Sequence, residues 1–360
     1  MFLIFAVFAG LFGLVPAPPA GGVSKTAYNE SEAHFMSELS AGAYATSPQG
    51  CINTIYGNQA SNILILGTAD LGCDILGDSC ASYVAVNPME PRIYVVFRGT
   101  KTDQQLLLEG WVSIHHGEDF YGLGDANKYF SSALETLWPN VEPVLTNPQY
   151  SNYPVTFTGH SLGAALASLA ALKTVYMNLR PSNAIRLVNF GQPRVGNHQL
   201  AMSHDKMVPY SFRVVHADDI VPHLPKCAKD KTTNMVNPNS PDSYPCDPNN
   251  TEEGYHHGIE IWYPTHMYPN STYYECLGQP TDEDFGCSDM LAFQYKHYAN
   301  YIYAHRYYFE VRIPDFGKTN CVPGSSIDTS TSIEDGVEYQ SPSIGGGMKP
   351  VNPALYGSRR

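Results

Sequence analysis

The sequence predicts an α/β fold with a mainly parallel central sheet flanked by helices and stapled by disulfides. Three observations carry that expectation. Short β-rich runs alternate with helical segments along the chain, the pattern of a parallel sheet with crossover helices. Gly159-His-Ser-Leu-Gly163 sits between one such run and an Ala/Leu-rich helical stretch, as a strand-to-helix turn requires. The eight cysteines form an even set with no C-x-x-C pair, which suits disulfides better than a zinc ribbon or a redox dithiol.

The elements follow in order. Residues 30–45 have helical spacing through Phe35, Leu39 and Tyr44 and end before Pro48. Residues 82–86 and 93–97 are strand-like and separated by Asn87-Pro88. A helix is expected over 129–137, a strand over 155–158, a helix over 162–176, and strands over 185–190 and 212–215. Between Pro222 and Pro280 the composition shifts to Pro, Asn, Tyr, Cys and Asp, which reads as a disulfide-stapled excursion and not a second domain. Short loops at Cys73–Cys80, Cys227–Cys246 and Cys276–Cys287 are easy to close, and Cys51 with Cys321 would tie the two ends.

The ends of the chain differ from its body. Residues 1–15 are apolar and uncharged, and small residues and prolines follow, so residues 1–20 read as a secretory signal peptide cleaved after Ala20. Residues 21–321 then form the folded domain, and 322–360, rich in Gly, Ser and Pro, form a disordered tail. Acceptor sequons at Asn29, Asn249 and Asn270 fit a glycosylated exported chain. The 360 residues carry 34 acidic and 21 basic side chains, a formal net charge of −13, which argues against nucleic acid as a partner. No run reaches the ~20 apolar residues of a membrane span.

The chemistry starts at Ser161. The flanking glycines allow the sharp, strained turn that exposes a serine hydroxyl, and a helix beginning there aims free N–H groups at developing negative charge. His160 is expected to pack structurally, because its side chain points away from that of its neighbour. A nucleophilic serine needs a base, and the base an orienting acid, in the chain order Ser, acid, His. The run 211–217 ends in Asp218-Asp219, where a carboxylate is wanted, and spacing alone admits either. Six histidines follow: His223, His256, His257, His266, His297 and His305. Spacing does not choose among them. His256 and His257 lie near Glu260, but H-E-x-x-H is absent, so no metal site is expected.

Phe97-Arg-Gly-Thr, Gly159-His-Ser-Leu-Gly, Phe190-Gly-Gln-Pro-Arg-Val-Gly-Asn and Asp219-Ile-Val-Pro-His-Leu-Pro appear in that order. Over residues 33–321 the chain resembles the class 3 lipases, the secreted triacylglycerol lipases of filamentous fungi, and more closely their nematode-type secreted members. The resemblance implies an α/β-hydrolase-type fold and a secreted serine hydrolase acting on acylglycerol esters, with carboxylesterase, feruloyl-type esterase, phospholipase and a non-catalytic lipid-binding relative as alternatives. It selects Asp219 over Asp218. The family's histidine typically stands three residues before a tyrosine. His297 in Lys296-His-Tyr-Ala-Asn-Tyr301 is the nearest match and His305 the second choice. The implied catalytic set is thus Ser161, Asp219 and His297, with the backbone N–H groups of Thr100 and Leu162 as oxyanion hole. No metal or organic cofactor is implied. Trp111 stands four and three residues after Leu107 and Leu108, giving one apolar helical face. The resemblance makes this segment a lid that opens at a lipid interface, while spacing alone suits an ordinary surface helix equally well.

Overall fold

The computed structural model describes residues 25–73, 79–100, 117–235, 237, 243–269, 271–294, 297–309 and 311–324. The signal-peptide expectation, the lid residues Leu107, Leu108 and Trp111, and the tail beyond 324 lie outside the described residues.

Two helices open the described chain: α1 (Glu30–Gly42), capped by the Asn29 side chain, and α2 (Pro48–Tyr56), capped by Ser47. Pro48, expected to mark a stop, occupies the first turn of α2, where a missing N–H costs nothing. Strands β1 (Leu64–Gly72), β2 (Ser79–Asn87) and β3 (Arg92–Phe97) follow, then short β4 (Gly117–Asp119) and β5 (Asp125–Asn127). Helix α3 (Lys128–Leu145) leads to β6 (Val155–His160), α4 (Leu162–Tyr176), β7 (Ile185–Phe190), β8 (Gly196–Asn197), α5 (His198–Met207) and β9 (Ser211–His216). The remainder comprises β10 (Gly254–Tyr255), β11 (Ile259–Tyr263), β12 (Tyr274–Cys276), α6 (Tyr298–Arg306), β13 (Tyr307–Tyr308), β14 (Val311–Arg312) and α7 (Ile313–Lys318).

The central sheet has eight strands in the order β1-β2-β3-β6-β7-β9-β11-β12. The β3–β6, β6–β7, β7–β9 and β9–β11 pairings are parallel. The three pairings toward its edges, β1–β2, β2–β3 and β11–β12, are antiparallel, so the sheet is mixed around a parallel centre. Alternate residues of each central strand feed two separate cores, as a period of two demands when both faces are covered. On β2 and β3, Val84, Val86, Ile93, Val95 and Phe97 face the core built on α3 and α4. Tyr83, Ala85, Tyr94 and Val96 face the core built on α1 and the C-terminal segment. Residues Leu162 to Thr174 of α4 are buried all round, which explains an apolar composition with little amphipathic signal.

Four disulfides close the expected pairs: Cys51–Cys321, Cys73–Cys80, Cys227–Cys246 and Cys276–Cys287. The first joins α2 to the segment after α7 across 270 residues of sequence. The excursion after Pro222 is more regular than its composition suggests, since β11 extends the parallel centre and β12 its edge. No described helix is long and apolar enough to cross a membrane.

Candidate active site

Ser161 lies on the turn between β6 and α4 with φ 62° and ψ −129°. A left-handed conformation at a non-glycine residue is costly and persists only where its surroundings enforce it. Here they do. The Ser161 N–H donates to the Phe190 carbonyl at 3.0 Å, and the Ser161 carbonyl accepts from the Ala164 N–H at 2.9 Å. Close packing also dictates the glycines on either side. A Cβ on Gly159 would strike the backbone of Gly163, and one on Gly163 would strike the carbonyl of Phe97. Ser161 thus stands at the carboxyl edge of the parallel strands, with the first turn of α4 behind it, whose Leu162 and Gly163 N–H groups have no intrahelical carbonyl to meet.

Asp219 follows β9 and is fully buried. Its carboxylate accepts three kinds of donor. The Val221 N–H reaches Oδ1 at 2.9 Å, and the Tyr308 hydroxyl reaches Oδ2 at 2.7 Å. The His305 ring, also fully buried, turns Nδ1 toward both oxygens, at 3.0 and 2.9 Å. A carboxylate only accepts, so His305 Nδ1 carries the proton and its Nε2 presents a lone pair. That Nε2 is buried and has no hydrogen-bond partner among the described residues. Asp218 differs: one of its carboxyl oxygens is buried without a partner among the described residues, and burial raises its pKa.

His297, the sequence expectation for the base, is corrected by this geometry. It is exposed at the N-cap of α6, whereas His305 lies in the last turn of the same helix. Eight residues of helix separate them by about 12 Å along the axis, so only one can meet Asp219. His297 acts electrostatically on Asp218. A usable signal was present in the sequence. His305-Arg-Tyr-Tyr308 has tyrosine three residues after histidine, while Tyr301 follows His297 by four.

His160 holds the His305 backbone and is itself held by Tyr44, a residue to which sequence reasoning assigned no role at the site. His160 Nε2 lies 2.7 Å from the His305 carbonyl, and His160 Nδ1 lies 2.8 Å from the Tyr44 hydroxyl. Burial, then repulsion from His305, holds the His160 pKa well below its ordinary value, so the ring is neutral. The carbonyl fixes its proton on Nε2, and Nδ1 accepts from Tyr44. The His160 ring also stacks on His305 at 4.6 Å between centroids. His160 is fully buried, as expected of a structurally packed residue. Gly191, at φ 55°, completes the wall, since a Cβ there would press on both Asp219 and His305.

Thr100 and Leu162 are both buried. Gly99, next to Thr100, lies so close to Ser161 that a Cβ on it would come 3.0 Å from the serine Cβ. Thr100 Oγ1 is buried without a partner among the described residues. The backbone after β3 and the start of α4 therefore converge beside the serine. A polar cleft of about 220 Å³, lined in part by Asp125, Arg194 and Glu253, does not include Ser161.

A sequence model of the family described as Lipase (class 3) matches residues 94–229. A lipase of Caenorhabditis elegans is 48% identical over 306 residues, spanning 85% of this chain and 86% of that protein. A lipase of Rhizomucor miehei is 30% identical over 226 residues, 58% of each chain. Among solved structures, lipase II from Rhizopus niveus superposes with a TM-score of 0.58 at 22% identity, covering 81% of this chain and 97% of that one. That last similarity establishes the α/β-hydrolase fold.

Proposed function

Because this chain belongs to the class 3 lipase family, we propose that it is a secreted triacylglycerol lipase working through an acyl-enzyme on Ser161, with His305 as its general base. The buried Asp219–His305 pair, with an unengaged Nε2, is the observation that carries this reading.

In this mechanism Ser161 Oγ attacks the ester carbonyl while His305 Nε2 takes its proton. Asp219 keeps the other ring proton on Nδ1 and stabilises the imidazolium as it forms. The imidazolium then protonates the departing alcohol, and water repeats the sequence on the acyl-serine. No hydrogen bond joins Ser161 to His305 Nε2, and catalytic contacts of this kind often tighten only when substrate binds. The N–H groups of Thr100 and Leu162 receive the oxyanion, each such donor contributing about 2.7–4 kcal/mol to the barrier reduction. No step in this chemistry calls for a cofactor.

Four disulfides support export to an oxidising compartment. Residues 1–20 then act as the export signal, and glycans on Asn29 or Asn249 are compatible with the positions of these residues, partly or fully exposed. The segment containing Leu107, Leu108 and Trp111 serves as the lid, and a lipid interface is its transient partner.

Hydrolysis of tributyrin, triolein, phosphatidylcholine and a feruloyl ester, measured side by side, tests the substrate class. Triolein and tributyrin should dominate, and tributyrin turnover should jump as its concentration passes the solubility limit. Preference for phosphatidylcholine or the feruloyl ester sinks the triacylglycerol reading. Smooth saturation through the solubility limit removes the lid. Failure of the folded protein to react with a fluorophosphonate would remove the acyl-enzyme and favour a binding protein.

A further inference from the structure

The backbone that runs from β3 to the serine is anchored by one side chain. The pairings of β3 end at Phe97, opposite Ser82 on β2 and Gly159 on β6. Beyond that point Gly99 has no side chain, and the Thr100 hydroxyl is buried without a partner among the described residues. Arg98 alone is left to hold the segment by its side chain. Its N–H donates to the Ala81 carbonyl at 2.9 Å. Its guanidinium reaches past β2 to β1, although the residue is only 1% exposed. Nη1 and Nη2 donate to the two carboxylate oxygens of Asp70 at 2.9 and 3.1 Å. Nη2 also donates to the Ser79 carbonyl at 2.6 Å and to the Ser79 hydroxyl at 2.7 Å.

The partners are themselves fixed. Asp70 stands opposite Ala81 across the β1–β2 ladder, so the acid lies one strand beyond the carbonyl that takes the Arg98 N–H. The Cys73–Cys80 bond closes the hairpin that carries both Asp70 and Ser79. A two-pronged guanidinium–carboxylate contact sets orientation as well as position, which a point charge does not. On its other side the segment presses on the nucleophile turn. A Cβ on Gly163 would strike the backbone of Arg98, and one on Gly99 would come 3.0 Å from the Ser161 Cβ. A shift of Arg98 is thus passed on to the N–H of Thr100, two residues along, and to the wall beside Ser161.

We propose that Arg98, oriented by Asp70, is a positioning residue for ester hydrolysis, setting the Thr100 N–H at the point where the oxyanion forms. Arg98 touches neither substrate nor reacting atoms and acts through the backbone that it holds. The proposal rests on the reading of Thr100 as an oxyanion donor. Such a donor has to stand within about 0.5 Å of its productive place, and a displacement near 1 Å costs about 100-fold in rate. The Asp70 side chain is 48% exposed. Water can solvate the guanidinium once the carboxylate is removed, so the fold survives its loss. Water does not supply the two-pronged orientation, and the effect falls on catalysis.

The test compares Asp70→Asn and Asp70→Ala with wild type in the full chain, on soluble p-nitrophenyl butyrate, per active site titrated with a fluorophosphonate. kcat should fall about 10-fold in Asp70→Asn and about 100-fold in Asp70→Ala, with KM within about threefold of wild type. Affinity for phenylboronic acid, whose tetrahedral adduct on the serine carries the negative charge of the oxyanion, should weaken by the same factor as kcat/KM. Arg98→Lys keeps the charge and loses the fork, so it should resemble Asp70→Ala. A purely structural role lowers the melting temperature and the titrated fraction but leaves kcat per site and boronate affinity at wild-type values, and that result overturns the proposal. A loss confined to KM overturns it as well. Should Arg98→Lys fail to fold, the two variants at the half-exposed Asp70 decide. A wild type that neither cleaves the ester nor takes up the fluorophosphonate strikes the hydrolase reading itself, an outcome distinct from an active wild type with unaltered variants.

Discussion

His305 Nδ1 lies 2.9 Å from Asp219 Oδ2, inside a shell in which both residues are fully buried. Their contact spans 86 residues of sequence and joins the end of β9 to the last turn of α6. A buried carboxylate facing a single imidazole edge leaves the opposite nitrogen as the one basic atom directed elsewhere. His305→Ala should therefore lower kcat by about 10⁴-fold or more, the scale on which removal of a triad base acts. His297→Ala should stay within a few-fold of wild type. The reverse ranking in a steady-state assay on tributyrin would return the base to His297.

Tyr308 donates to the oxygen of Asp219 that also faces His305. Tyr308→Phe removes one hydrogen bond to a charged acceptor, worth about 1.5–3 kcal/mol. Urea unfolding of the folded Ser161→Ala background should show that loss, which keeps catalysis out of the measurement. An unchanged midpoint means that the contact contributes nothing.

Gly163 has no room for a side chain, because a Cβ would meet the Phe97 carbonyl. Gly163→Ala must push the start of α4 away from β3, carrying Ser161 and the Leu162 N–H with it. A shift near 1 Å at a reacting group costs about 100-fold, so kcat/KM should fall by that order. Full activity in Gly163→Ala contradicts the described approach of α4 to β3.

The buried, neutral His160 ties stability to acidity. Its folded pKa lies well below 6.5, whereas the unfolded chain takes up a proton near that value. Stability from this group is therefore complete above pH 6.5 and declines as pH falls. The loss is about 1.4 kcal/mol per pH unit until the folded pKa is reached. His160→Gln lacks that penalty. The stability advantage of wild type over His160→Gln should shrink at about that rate between pH 6.5 and 5. A constant difference across the range refutes the assignment.

The Cys51–Cys321 bond closes the longest loop in the chain. In the chain-entropy account a loop of 270 residues contributes about 5.6 kcal/mol. The double variant Cys51→Ser/Cys321→Ser should lose 2–5 kcal/mol, in the range typical of exported proteins. A melting temperature equal to wild type would show that the ends are held without it.

Much of this arrangement could be read from the sequence where local chemistry decides it. The β6 turn and α4 announce themselves through Gly159, Ser161, Gly163 and the Ala/Leu run, since steric demands act between near neighbours. The parallel strands around them were visible as β-rich runs, and the four cysteine pairs as short loops with one long closure. Strand β1 was missed because it lies at the sheet edge, where its partly and fully exposed residues lack a continuous apolar run. Helix α2 was missed because Pro48 ends one helix and opens the next, two roles that share one residue type. The histidine is the instructive failure. The one local signal, a tyrosine three residues after His305 and four after His297, is a matter of a single residue, and the contact that decides it, Asp219 with His305, is long-range. The support from Tyr44 and His160 is equally long-range, with 116 and 145 residues between the partners.

The covalent tie at Cys321 gives the C-terminal arm a temporal meaning. His305 is followed by α7, whose Gly317 packs against the Ala41 carbonyl, and then by the bridge to Cys51. During synthesis Ser161 emerges 144 residues before His305, and the bond that fastens the arm bearing His305 waits for Cys321 to pair with Cys51. Until that bond forms, the arm that carries His305 and Tyr308 to Asp219 is held by non-covalent packing alone.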